Sequence, residues 1–307
     1  MRAVYLVRIA AILLTAGLAF GQAPAEPVLS GVRTLIEQGK LTEAGMAARQ
    51  YLEAHHESAE AHYLLGYILF KEQDAKASLA EYTEAAKYRK PSANDLEVVA
   101  GDYVLLHDYP DADKWFTISV AWNPGNLQTL YYLGRTKYNE NRFEEAVSVF
   151  AQCLKLDPKN VKAEDNLGLS YAGMGRTEDA IAAYRTAIAW EAEATVKDAG
   201  PYLDLGTVLV DNDRSAEAAP YLLKALQIAP QDFRAYRGLG KAYLHLNQLE
   251  KAQTEFEKAA ELAPQSAPIH YMLAQVYRRR GFADKARAED ERYTALTGAH
   301  SSPEDSR

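Results

Sequence analysis

The sequence predicts an all-α fold, a solenoid of stacked antiparallel helix pairs. Three observations predict it. Ala112, Ala146 and Ala180 stand 34 residues apart, Ser78 and Ala44 extend the count backwards, and after a four-residue slip it resumes at Ala218, Ala252 and Ala286. A second small column keeps the same register: Gly66, Ala100, Gly134, Gly168, Gly206, Gly240 and Ala274. A third column is aromatic: Tyr82, Phe116, Phe150, Tyr184 and Phe256. A repeat of this length is one helix–turn–helix unit. It cannot bury its apolar face alone, so neighbours must stack.

Each column has a physical reason. Helices cross closely only where neither carries bulk, so the small residue of the first helix is expected to face the alanine of the second. The ring one turn on fills the remaining gap and buries a large apolar area. Spacings of three and four residues keep these positions on one helical face. Asn141, Gly175, Asp213, Asn247 and Gly281 mark the turn inside the unit. Pro124, Pro158, Pro230 and Pro264 close it, because proline stops the second helix.

The units begin at residues 25, 59, 93, 127, 161, 199, 233 and 267. Unit one is weak, with Val32, Ala48 and Tyr51 in the columns, and reads as a frayed cap. In unit three Pro110 falls in the turn and is expected to shift the second helix. In unit four Lys137 stands where Tyr or Leu is usual, and Cys153 replaces a small core residue. Residues 191–201 hold the four-residue excess, read as a longer second helix and connection. In the last unit Asp290 takes the aromatic place, and Arg287 to Arg292 make a polar outer face suited to a helix with no neighbour beyond it. The solenoid is expected over 31–298, with a flexible lead at 22–30 and a disordered tail at 299–307.

Residues 1–21 read as a secretory signal. Arg2 and Arg8 open it, Ile9 to Phe20 is apolar, and Ala19-Phe20-Gly21 suits cleavage before Gln22. The apolar run spans about 18 Å as a helix, short of the hydrocarbon core of about 30 Å. The expected location is the periplasm or outside the cell, with no membrane insertion after cleavage; the alternative is an uncleaved anchor to the inner membrane. Net charge is −8 over 307 residues and near −10 without this segment, which argues against a nucleic-acid partner. One cysteine allows no intrachain disulfide.

The columns carry a family resemblance. Tyr131-Tyr-Leu-Gly134 with Glu145-Ala-Val-Ser-Val-Phe150 and Asp157-Pro158, and Tyr236 to Tyr243 with Ala252, Phe256 and Pro264, resemble tetratricopeptide repeats. The resemblance covers nearly the whole chain after the signal. It implies a right-handed superhelix whose concave wall is lined by first helices, with a peptide or protein segment lying in that groove. The inward positions carry aromatics in the N-terminal half: Tyr63, Tyr67, Phe70, Tyr131, Tyr132 and Tyr138, with Arg135 among them. In the C-terminal half they carry cations: Arg234, Arg237, Lys241, Arg278 and Arg279. Rings with polar tips and guanidinium groups both suit protein contacts. Some family members clamp a C-terminal carboxylate with Lys and Asn; here Asn166 fits, but Tyr131, Arg135, Gly200 and Asp204 do not.

No phosphate loop, HExxH or GxSxG motif occurs. The histidines read as surface residues rather than metal ligands, and no metal or cofactor is expected. The expected function is a non-enzymatic scaffold that binds a protein or peptide in the groove, in envelope assembly or secretion. The rivals are a self-associating structural solenoid and a binder of an anionic glycan or cell-wall ligand at the arginine cluster.

Overall fold

The computed structural model describes residues 27–193, 195 and 197–298. The expected signal at 1–21, residues 22–26 of the expected lead and the expected tail at 299–307 lie outside them. The described residues form sixteen α-helices and no strand. Within Met1–Leu156 these are α1 (Pro27–Glu37), α2 (Leu41–Ala54), α3 (Ala59–Lys71), α4 (Ala75–Tyr88), α5 (Ala93–Leu105), α6 (Tyr109–Trp122), α7 (Leu127–Asn139) and α8 (Phe143–Leu156). Within Asp157–Arg307, a second compact unit, they are α9 (Val161–Gly173), α10 (Thr177–Glu193), α11 (Gly200–Asp211), α12 (Ser215–Ile228), α13 (Phe233–His245), α14 (Leu249–Leu262), α15 (Ala267–Arg279) and α16 (Ala283–Gly298).

The turn inside each pair is built the same way eight times. Gly39, Gln73, His107, Asn141, Gly175, Asp213, Asn247 and Gly281 all have positive φ. The next residue's N–H then reaches back five residues to close the helix, as in Asp74 N to Leu69 O at 2.9 Å and Gln248 N to Tyr243 O at 2.8 Å. Five of the eight first helices start on side-chain caps. Ser58, Asn126, Asn160 and Asp232 each accept a backbone N–H, and Ser92 and Asp95 form a capping box.

The alanine column is buried throughout, from Ala44 to Ala286. The small column of the first helices, however, faces the ring column rather than the alanines. A Cβ on Gly134 would lie 2.7 Å from the Phe150 ring, and one on Gly168 2.6 Å from Tyr184. The ring needs a flat floor, and glycine supplies it. In unit six Leu222 takes the ring's place over Gly206.

Several expectations are corrected. α1 begins at Pro27, inside the stretch expected to be a flexible lead, because Leu29 and Val32 are buried against Ala44, Ala48 and Tyr51. Unit one is therefore packed, not frayed. Pro110 lies in the first turn of α6, where its missing N–H costs nothing, and it shifts no helix. The excess before Pro201 does lengthen α10, as expected, to 17 residues against 14 in α8 and α12. His62 and His270 are buried, not superficial. Each ring meets a glutamate on the paired helix (Glu81 and Glu289, both at 2.6 Å) and a backbone carbonyl six residues back (His56 and Pro264, both at 2.9 Å). The two sites stand at the same repeat position.

Candidate protein-binding surface

Within each compact unit, first helices of successive pairs touch: α1 with α3, α3 with α5, α9 with α11, α11 with α13, and α13 with α15. Second helices make no comparable contact among the described residues. The first helices therefore form the inner wall of each unit and the second helices the outer one.

In the N-terminal unit the six predicted aromatics divide. Tyr63 is buried: its hydroxyl donates to Arg89 O at 2.7 Å, and its ring lies under the Arg89 guanidinium. Tyr63 and Tyr67 help to line a cavity of about 420 Å³ together with Arg33, Glu60, Arg89 and Asp95. Phe70 is half-buried against Gly101 of α5, where a Cβ would lie 2.8 Å from its ring, so it is inter-repeat packing and not free surface. Tyr131 is half-buried between Tyr132 and Phe150, and Tyr138 packs on Phe143. Tyr132 is 40% exposed, and Arg135 is exposed beside Tyr131. The aromatic wall thus reduces to Tyr67, Tyr132 and the edges of Tyr131 and Tyr138.

In the C-terminal unit the five predicted cations also divide. Arg234, Arg237 and Lys241 of α13 line one cavity of about 260 Å³. Its remaining wall is Thr207, Val210 and Asp211 of α11, Gly238, and Pro268, Tyr271 and Met272 of α15, apolar apart from Thr207 and the Asp211 carboxylate. Arg234 is held by Asp232 at 2.6 Å, and Lys241 by Asp211 at 2.7 Å. Arg237 is half-buried and makes no ion pair within 4 Å among the described residues. Arg278 and Arg279 do not join this cluster. Arg278 turns to Asp290 on α16 at 2.5 Å, and Arg279 to Asn247 at 2.7 Å. Asp290 sits in the ring column, so an exposed ion pair stands where other units bury a ring.

The inner wall also carries groups that the cation count overlooked. Asp165 of α9 is only 8% exposed, and its Oδ1 is buried with no hydrogen-bond donor. Asp204 of α11 is half-buried. Burial and then the carboxyls of Asp204 and Asp198 push Asp165 above the usual carboxylate range. Burial pushes Asp204 up too, with Arg234 opposing. Their positions, fifth and sixth in their units, were the legible signal, since both fall in the inward set. Among the described residues no group of His, Cys, Asp and Glu is placed to hold a metal ion, and no helix is long and apolar enough to cross a membrane.

Family models described as tetratricopeptide repeat match residues 29–94, 128–160, 165–193 and 209–276. A probable UDP-N-acetylglucosamine–peptide N-acetylglucosaminyltransferase SPINDLY of Hordeum vulgare is 28% identical over 57% of this chain and 18% of its own length. The peroxisomal targeting signal receptor of Komagataella phaffii is 26% identical over 45% of this chain and 25% of its own. The chain spans no more than a quarter of the curated relatives it matches. A tetratricopeptide repeat protein from Parabacteroides merdae shares the fold, with a TM-score of 0.66 at 18% identity over 81% of this chain and 97% of that one.

Proposed function

Because this chain is a tetratricopeptide-repeat protein, built of eight helix pairs among its described residues, we propose that it is a non-enzymatic scaffold that captures a protein or peptide segment on its inner walls. The observation that carries this reading is Arg237. It is a half-buried cation with no ion pair within 4 Å among the described residues, set between Arg234 and Lys241 beside the apolar side chains of Val210 and Met272. Such a pocket fits an acidic side chain or chain end with an apolar neighbour. The guanidinium fork takes the carboxylate, and Val210, Tyr271 and Met272 take the rest. Tyr271, 45% exposed at the rim, is the kind of ring that anchors a partner at low entropic cost.

A targeting receptor among the relatives, by its name, recognises a signal, which supports a segment-binding role here. Transferase activity in another relative is not carried over, since this chain spans under a fifth of it. The basic, then apolar, first 21 residues favour action after export, in the envelope or outside the cell.

The test is a crosslinking capture from the native envelope, comparing the parent chain with Arg237→Glu combined with Lys241→Glu. We expect capture of the partner to fall by about tenfold or more, equivalent to at least ~1.4 kcal/mol, with helicity unchanged. Equal capture by both chains removes the α13 pocket from the reading.

A further inference from the structure

The buried acids upstream of that pocket have no role in the fold that the structure reveals. Asp165 is more than nine-tenths buried, and its Oδ1 meets no donor. Its charged neighbours are carboxyls: Asp204 across the wall and Asp198 before α11, with Gly200 alongside. Arg234, the cation that acts on Asp204, is already engaged by Asp232. A buried oxygen without a donor is a cost to folding. Alanine, the best helix former, would avoid that cost at this position. Polar groups left unsatisfied on a binding wall are what a ligand donor would satisfy.

We propose that Asp165 and Asp204 form a receptor for a cationic side chain, lysine or arginine, on the segment that the inner wall captures. This rests on the groove reading above and names its chemistry. An ammonium or guanidinium group seated between the two carboxyls would supply the donor that Asp165 Oδ1 lacks. It would also relieve the repulsion among Asp165, Asp198 and Asp204. The captured segment is then dipolar, with its cation between α9 and α11 and its anion at Arg237 between α11 and α13. Neighbouring helices pack about 8–10 Å apart, and an extended chain covers about 3.3 Å per residue. The two charges should therefore stand about three residues apart along the segment.

The experiment uses the full chain and fluorescein-labelled hexalysine, with the same peptide acetylated on every Nζ as control. Anisotropy is read at low ionic strength and mildly alkaline pH, where both carboxyls are ionised. Hexalysine should bind, and the acetylated peptide should bind at least about tenfold more weakly. Asp165→Asn with Asp204→Asn should bring hexalysine down to the acetylated level. A charge-matched variant, Asp284→Asn with Glu291→Asn on exposed α16, should keep parental binding. The single change Asp204→Asn, at a half-buried site, should lose part of the affinity and guards against misfolding of the double variant; circular dichroism checks both. Equal losses in the two double variants would mean attraction by net charge alone and would overturn the site. Absence of hexalysine binding would overturn it as well. A random peptide library panned on the same chain separates the two readings. Peptides lost on Arg237→Glu but indifferent to Asp165→Asn with Asp204→Asn would sink the cation receptor and leave the groove. No peptide retained by the inner walls would sink both.

Discussion

Asp102 is the residue whose environment is most at odds with its chemistry. It lies wholly buried in α5, its Oδ2 accepting the Ser78 hydroxyl at 2.6 Å while Oδ1 has no donor. Burial pushes its pKa up to about 8. The folded chain therefore holds a proton that the unfolded chain, with an ordinary carboxyl near pH 4, releases. Folded stability is greatest below that ordinary value and falls as pH rises from about 4 to about 8, by at most about 1.4 kcal/mol per pH unit from this group. Asp102→Asn keeps an acceptor for Ser78 and has no proton to lose. Urea unfolding at acid and neutral pH should show the parent losing stability that the variant keeps, and parallel profiles would refute the assignment. Ser78 was readable as an exception in the alanine column; its partner was not, because nothing in the spacing says that position 102 lies against it. The same holds for His62 and His270. Their glutamates stand 19 residues away, a separation that means contact only once the two helices are folded back on each other.

At the scale of the element, the turns show how backbone geometry outlasts sequence. Eight turns share a left-handed residue, yet only three of these are glycine. Gln73, at φ 63°, carries a side chain where the left-handed region disfavours one by about 1–2 kcal/mol. Gln73→Gly should stabilise the chain by about 0.5–1 kcal/mol, the gain in strain being partly offset by a more flexible unfolded state. Gly175→Gln should destabilise it by a similar amount. Denaturant midpoints that move in neither variant would mean that packing, not φ, sets these turns. Lys137 is the opposite case, a break in pattern explained by its surroundings. It is buried and pairs with Asp113 of α6 at 2.9 Å and Glu145 of α8 at 3.1 Å, while Arg142 bonds both acids. These cations hold Glu145 down to about 2. Charge here ties three helices together where a ring would join two.

At the scale of the molecule, each compact unit is a run of stacked pairs, and α1–α2 and α15–α16 each pack against one described pair in their own unit. Hydrogen exchange should therefore be faster in α1–α2 and α15–α16 than in α3–α4 or α13–α14; uniform protection would argue for one indivisible core. Much of the architecture was determined by the sequence alone. Helix pairing, the buried alanine column and the turn positions follow from local rules at a 34-residue period, and each repeat obeys them within its own span. The long-range partners were decided by tertiary structure. Phe70 looked like surface until α5 placed Gly101 against it, and Arg278 looked like groove until Asp290 took it. Among the described residues Arg237 was left without an ion pair within 4 Å, because Asp232 and Asp211 hold its neighbours, and Asp165 was buried among carboxyls by the approach of α11. Periodicity specifies which face a side chain takes. It carries no information about which charge on the next helix will be within reach, because that depends on crossing geometry, and crossing geometry is a property of the packed pair.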